Sequence, residues 1–251
     1  MLYLGLSQWN YKFFKENLYP RGSKPVEYIK FYSGRYNCVE LNSTYYDNVS
    51  KDTMLRWKKS VNPLFRFCPK IPKQITHDNL LNTVQQFARE FINSVSTLGE
   101  NLGISYLQLS PAMHPNDLYL IDELLEFINN EIPVSMEIRP GWLADTALLN
   151  ECLAILKKHN AGVVIVDSVE TVKYLNHIKL TNDTAFIRFL SYGHRTDYAR
   201  IDDWIKIIRL WQKKGIKEIY FILHTPDSES EPLILKYTRE KLFNESGNGI
   251  C

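Results

Sequence analysis

The sequence has no Cys-x-x-Cys pair, and its four cysteines, Cys38, Cys68, Cys152 and Cys251, fall at no spacing that a zinc site uses. Cys38 and Cys68 lie within apolar runs and are expected to be small buried hydrophobes in a reducing compartment. No window approaches the roughly 18 apolar residues of a membrane span, and the opening MLYLGLSQWNYKFF places no basic segment ahead of a long apolar one. The expectation is a soluble, cytoplasmic protein without membrane contact. Charge of one sign is also missing. Thirty Lys and Arg against 28 Asp and Glu leave a net charge of +2, which does not by itself argue nucleic acid. No Gly-x-Gly-x-x-Gly follows a strand-like run and no Gly-x-x-x-x-Gly-Lys-Ser/Thr loop occurs, so the dinucleotide and P-loop fingerprints are absent. No low-complexity linker divides the 251 residues. One domain over 1–251 is expected, with a tail at about 245–251 that frays.

What is present is a recurrence of short apolar runs: Leu2–Leu6, Cys38–Leu41, Phe65–Cys68, Ser105–Leu109, Val134–Ile138, Gly162–Val166, Ala185–Phe189 and Glu218–Leu223. Their length and their Val, Ile, Tyr and Phe content fit buried strands. Helical stripes lie between them. Val84, Phe87, Ala88, Phe91, Ile92, Val95 and Leu98 recur at period 3.6 within Asn82–Leu98. Leu148, Leu149, Cys152, Leu153 and Leu156 form a second stripe, and Ile201, Trp204, Ile205, Ile208 and Trp211 a third, closed by Gly215. Pro25–Tyr36, Lys51–Ser60, Asp117–Asn130 and Pro232–Phe243 carry weaker patterns, and a short segment follows Asp167. Eight strands alternating with about eight helices imply a parallel sheet covered by helices. Eight such units in this length predict a single α/β domain, a closed (β/α)8 TIM-type barrel with some irregularity.

In such barrels the working face lies at the C-terminal ends of the strands. Strand one exits into Ser7, Gln8, Trp9, Asn10 and Tyr11, and strand two carries Glu40 and exits into Asn42, Ser43, Thr44 and Tyr45. Strand three gives Lys70 with His77 further on; strand four gives Gln108 and Ser110; strand five gives Glu137, Arg139 and Trp142. Strand six gives Asp167, strand seven Arg188, and strand eight His224 and Asp227. Polar and ionisable residues thus collect at one end of every strand. Buried charges must be paired, so structural Glu–Arg bridging is the competing account of Glu40, Glu137 and Arg188.

These exits resemble the YecE-like family, a domain of unknown function, over nearly the whole chain. VELNSTYY is similar to the family's V-E-[IL]-N-S-[ST]-F-Y element, and GLSQWNY, FRFCPKIPKQITHD, YLQLSPAMHP and VSMEIRPGWL follow its further elements in order. The resemblance implies a TIM barrel. It supplies no reaction; the family's barrel has been likened to those of metal-dependent endonucleases and sugar isomerases, a fold-level analogy. Five positions at three places depart from the pattern: Gln8 replaces a small residue, Leu190 and Ser191 replace His-Gly, and Leu223 and His224 replace paired asparagines.

The leading expectation is an enzyme, hydrolase- or isomerase-like, acting on a small anionic, sugar- or nucleotide-like substrate. Glu40 or Glu137 would serve as general acid or base, and Lys70 or Arg139 would stabilise developing negative charge. Asn42 and Gln108 would orient the substrate. Trp9, Tyr11, Tyr45 and Trp142 would wall it, and Arg188 would fork onto an anion. His77, Asp167 and His224 complete the expected binding set. No cofactor is expected. One alternative is a metal-dependent phosphodiester hydrolase with Glu137, Asp167 and His224 as ligands. Another is a non-catalytic binder of small molecules or nucleic acid. A glycosidase would need Glu40 and Glu137 about 5 to 9.5 Å apart. The commonest glycosidase barrels hold their acids after strands four and seven, where this chain has Gln108 and Arg188. Replacing Glu40 with Gln is expected to preserve the fold and reduce activity or affinity.

Overall fold

A computed structural model describes residues 1–79, 84–128, 130–225 and 231–243. Eight parallel strands are β1 Leu2–Leu6, β2 Cys38–Leu41, β3 Arg66–Pro69, β4 Ser105–Gln108, β5 Val134–Glu137, β6 Gly162–Asp167, β7 Thr184–Leu190 and β8 Glu218–His224. They pair in the order β3-β2-β1-β8-β7-β6-β5-β4. The ends of that row meet through the parallel bridges Phe67–Leu102 and Lys70–Tyr106, and the Ile71 amide donates to the Tyr106 carbonyl at 2.9 Å. The sheet therefore closes into a barrel whose β3–β4 seam is its sparsest.

The helices are α1 Lys12–Asn17, α2 Tyr28–Ser33, α3 Ser43–Tyr46, α4 Lys51–Lys59, α5 Gln85–Val95, α6 Leu118–Ile128, α7 Pro140–Leu143, α8 Thr146–Lys158, α9 Thr196–Lys213 and α10 Glu231–Phe243. The apolar stripes predicted for α5, α8 and α9 face inward at Ala88, Phe91, Ile92, Val95, Leu149, Cys152, Leu156, Ile201, Trp204 and Ile208, all buried, whereas Phe87, assigned to the first stripe, is exposed. Asp145 caps α8 by accepting from the amides of Ala147 and Leu148, two of the donors that a helix start leaves unpaired. After β6 the crossover holds only the 3-10 turn Val172–His177. The short helices α1, α3 and α7 follow β1, β2 and β5 directly, and periodicity cannot reveal elements of four to six residues. None of the helices described is long and apolar enough to cross a membrane. Asp227 and the 245–251 tail lie outside the described residues.

Alternation along each strand sorts side chains between the helix layer and the lumen. Tyr3, Cys38, Cys68, Ile104, Tyr106, Val164, Phe186, Tyr220 and Ile222 form the inner cluster. Four rings stack across it, with centroids 4.5 Å apart for Tyr3–Tyr220, 5.7 Å for Phe186–Tyr220 and 6.0 Å for Tyr106–Phe186. This aromatic layer is a floor. Below it, the hydroxyls of Tyr3 and Tyr220 reach Glu218 at 3.2 Å each. Above it, the Tyr106 hydroxyl reaches the mouth. The lumen is full at Gly5, where a Cβ would overlap the Cys38 carbonyl and its sulfur. Gly5→Ala is accordingly expected to lower stability by about 1–3 kcal/mol through overpacking. Urea denaturation checks this, and an unchanged midpoint would mean that the β1–β2 contact yields without strain.

Candidate functional site at the barrel mouth

The next inward position above the floor is polar on most strands. Glu40, Lys70, Gln108, Glu137, Arg188 and His224 share the parity of Cys38, Cys68, Tyr106, Ser135, Phe186 and Ile222 on β2, β3, β4, β5, β7 and β8. They join into one hydrogen-bonded belt. Lys70 Nζ donates to Gln108 Oε1 at 2.7 Å, and Gln108 Nε2 donates to Glu137 Oε1 at 2.7 Å. The Arg188 guanidinium donates to Glu137 Oε2 at 2.6 Å and grips Glu40 with Nε at 3.0 Å and Nη2 at 3.2 Å. His224 Nε2 completes the belt 3.1 Å from Glu40 Oε2.

Glu40 is fully enclosed, its side chain 0% exposed. Oε1 also receives Asn42 Nδ2 at 2.9 Å, and the Tyr106 hydroxyl stands 3.0 Å from both Glu40 Oε1 and Asn42 Oδ1. Burial pushes the Glu40 carboxyl pKa up, but the charges and hydrogen bonds of Arg188 and His224 outweigh it and hold the group well below the usual carboxylate range. Burial and the Glu40 charge push the Tyr106 phenol far above its ordinary value, so it stays protonated and donates. The donors on its two oxygens thus hold Glu40 as an ionised, fully bonded carboxylate. Glu137 stands nearer the opening, with its side chain 10% exposed. The two carboxylates converge on one guanidinium, the structural bridging that the sequence set against a catalytic pair.

Lys70 differs from Arg188 because no carboxylate lies within ion-pair distance of its ammonium among the described residues. It donates to an amide oxygen and stands 4.1 Å from the centroid of the Tyr45 ring. Burial, then the Arg188 charge, lowers its pKa, with Glu40 and Glu137 opposing. The Tyr45 ring meets His77 edge-on at 5.4 Å, and the Thr76 hydroxyl lies 2.7 Å from His77 Nδ1. Burial and then the charges of Lys70 and Arg139 depress the His77 pKa, so the imidazole is neutral at pH 7. Among the described residues Arg139 reaches only the Leu109 carbonyl, at 3.3 Å. Lys70, His77 and Arg139 make an electropositive corner.

On the β1–β2 side the belt opens into a cleft of about 570 Å³. Ser7, Gln8, Asn10, Asn42, Arg188 and His224 supply its polar lining, and Trp9, Tyr46 and Trp57 its flat surfaces. Trp9 and Trp57 meet edge-to-face at 5.2 Å.

Three expected site residues are placed elsewhere. Tyr11 is buried in the core beside Phe13 and Phe14, its hydroxyl 2.8 Å from Ser7 Oγ. Trp142 is buried in the core from α7. Asp167 is the outward neighbour of inward Val166; it accepts from Trp204 Nε1 at 2.8 Å and pairs with Arg200 at 2.7 Å, on the α9 side of the sheet. A ligand triad of Glu137, Asp167 and His224 is therefore corrected. Among the described residues no three His, Cys, Asp or Glu are grouped to hold a metal ion. Tyr106, Trp57 and Arg200 were not expected from the sequence. Parity with Gln108 is the signal that finds Tyr106; Trp57 and Arg200 lie on helices and give no local sign.

A closed eight-strand parallel barrel with a charged and amide-bearing belt at its C-terminal mouth defines the class, a TIM-barrel protein with its candidate site on the usual face. Within that class the chain belongs to the DUF72 family, whose model, described as a protein of unknown function, matches residues 3–248. It is 27% identical to the UPF0759 protein YecE of Escherichia coli K12, over 96% of this chain and 93% of that one. A DUF72 family protein of Enterococcus faecalis superposes with a TM-score of 0.78 at 16% identity, covering 100% of this chain and 97% of that one. One from Thermotoga maritima gives 0.72 at 20%, covering 95% and 98%. A D-psicose 3-epimerase gives 0.55 at 12% identity, covering 96% of each chain, a likeness of fold alone.

Proposed function

We propose that this protein is an enzyme acting on a small sugar-like substrate with an anionic group, by general acid–base chemistry at the barrel mouth. One observation carries the reading: the belt begins at a buried ammonium that, among the described residues, has no carboxylate within ion-pair distance. A cation held by an amide and by the rings of Tyr45 and Tyr106, with centroids 4.1 and 5.5 Å away, keeps its field for an incoming anion. Arg139 and neutral His77 support the same corner. Glu137, tied to Gln108 and Arg188 near the opening, is the carboxylate available for proton transfer. The amides and indoles of the cleft suit hydroxyl groups and the apolar faces of a sugar ring.

A panel of sugar monophosphates in thermal-shift measurements tests the reading. A compound at about 100 times its dissociation constant adds about 2.7 kcal/mol of stability. Lys70→Met is expected to remove most of that gain while leaving the unliganded protein folded. Equal stabilisation by uncharged sugars would overturn the anion reading. Stabilisation by long nucleic acid alone, abolished by salt, would overturn the small-molecule reading.

A further inference from the structure

The second ionisable end of the belt is His224. Its Nε2 lies 3.1 Å from Glu40 Oε2, and that oxygen also accepts from Arg188 Nε at 3.0 Å. Glu40 is a buried carboxylate whose other oxygen is ringed by Asn42, Tyr106 and Arg188. An ionised oxygen can only accept, so Nε2 must carry the proton of this contact. Whenever the ring is neutral, its lone pair is therefore on Nδ1. No described residue hydrogen-bonds that nitrogen, and it is not one of the buried polar atoms left without a partner. The imidazole is 19% exposed and lines the 570 Å³ cleft with Ser7, Gln8, Asn10 and Asn42.

We infer that His224 is a proton-transferring residue of this site, with Nδ1 as the basic atom and Glu40 as the positioning residue that fixes the tautomer. The inference rests on the proposed enzymatic reading and deepens it, because it places the transfer on a substrate hydroxyl bound against the amides and Trp9. In that step the substrate O–H bond breaks and its electron pair stays on oxygen. The proton passes to Nδ1, and the imidazolium is held against the carboxylate of Glu40. The proton returns to the product when the ring is restored. A carboxylate behind an imidazole does two things here: it selects the tautomer and it offsets the charge that forms. Glu137 and His224 then stand on opposite flanks of Arg188, giving the mouth one carboxylate and one imidazole for proton transfer.

The test needs no substrate. Histidine-selective ¹⁵N labelling of the intact protein, with long-range proton–nitrogen correlation at mildly alkaline pH, reads the tautomer of each ring. The expected result for His224 is a protonated Nε2 and an unprotonated Nδ1, together with carbethoxylation of this ring by diethyl pyrocarbonate. A protonated Nδ1, or a ring inert to the reagent in the folded protein, would overturn the assignment. On any sugar monophosphate that the panel shows to be turned over, His224→Asn should reduce kcat by about 10²–10⁴-fold with KM much less affected. A wild-type kcat in that variant would also overturn it. Failure of the whole panel would count against the proposed function, whereas the tautomer and the reagent would still decide the pairing of His224 with Glu40.

Discussion

Arg188→Met lowers the unfolding free energy by about 3–5 kcal/mol, the cost of leaving buried partner charges uncompensated. The guanidinium is 11% exposed and binds two carboxylates, Glu40 and Glu137, through three nitrogens. A thioether fills the volume but returns none of those donors. Two carboxylates then face one site, and one of them must take up a proton for the fold to persist. Lysine does not rescue this loss, because one ammonium cannot fork onto Glu40 while reaching Glu137. Removing both acids as well does not restore the balance either. Asn42, Tyr106, Gln108 and His224 would lose acceptors in a space closed below by the aromatic floor. Urea titration followed by circular dichroism measures the effect. A loss under about 1 kcal/mol would put the bridge in the range of exposed ion pairs and would refute the account of a buried, fully coordinated cluster.

The barrel was legible because each strand is a short apolar run with its own parity, and because the runs alternate with helical stripes. A buried parallel sheet needs both. What the runs did not reveal is the direction of a residue once the chain leaves the strand. Asp167 illustrates this. It ends an apolar strand, as Glu137 ends another, and both were assigned to the site. Yet Val166 pairs with Arg188 and shares its face, so Asp167 pairs with Phe189 and points to the helix layer. Period-two bookkeeping across paired strands would have separated them. Tyr106 is the converse case: a tyrosine in an apolar run reads as core until its parity with Gln108 is used.

Beyond the strands the signal weakens for a physical reason. Tyr11 and Trp142 each follow a strand by a few residues and each enters a helix of four to six residues. The turn of that helix, not the strand, decides whether the ring faces the cleft or the core. Both face the core. Trp57 reaches the cleft from α4, far along the chain from Trp9, and no local pattern joins the two. The belt residues proper, Glu40, Lys70, Gln108, Glu137, Arg188 and His224, were all named from the sequence, since strand ends are where backbone geometry and side-chain direction are fixed together. Their division of labour was not legible. Glu40 and Glu137 are the same residue type at equivalent exits, and only the number of donors around each sets them apart.

That distinction gives Glu40→Gln its expected outcome. From the sequence, the amide was expected to preserve the fold. The surroundings of Glu40 argue otherwise. Oε1 faces Asn42 Nδ2, the Tyr106 hydroxyl and Arg188 Nη2; Oε2 faces Arg188 Nε and His224 Nε2. An amide NH2 in either place meets a fixed guanidinium donor. Tyr106 can turn its proton to Asn42 and His224 can change tautomer, but Arg188 has no alternative. The variant should lose about 3–5 kcal/mol at neutral pH, as for a broken buried pair. The pH dependence supplies an independent sign. Because the folded pKa of Glu40 is depressed, the unfolded chain binds more protons in acid, so this group's contribution is complete above its unfolded pKa of about 4.3. It is lost as pH falls below that value toward the folded pKa. Wild-type stability should therefore decline in this acid window more steeply than that of Glu40→Gln, whose curve starts lower and is flatter. Parallel curves would mean that folding does not lower the Glu40 pKa. The donors of Arg188 and His224 would then not hold this carboxylate as a fixed anion, and the anchor inferred under His224 would lose its support.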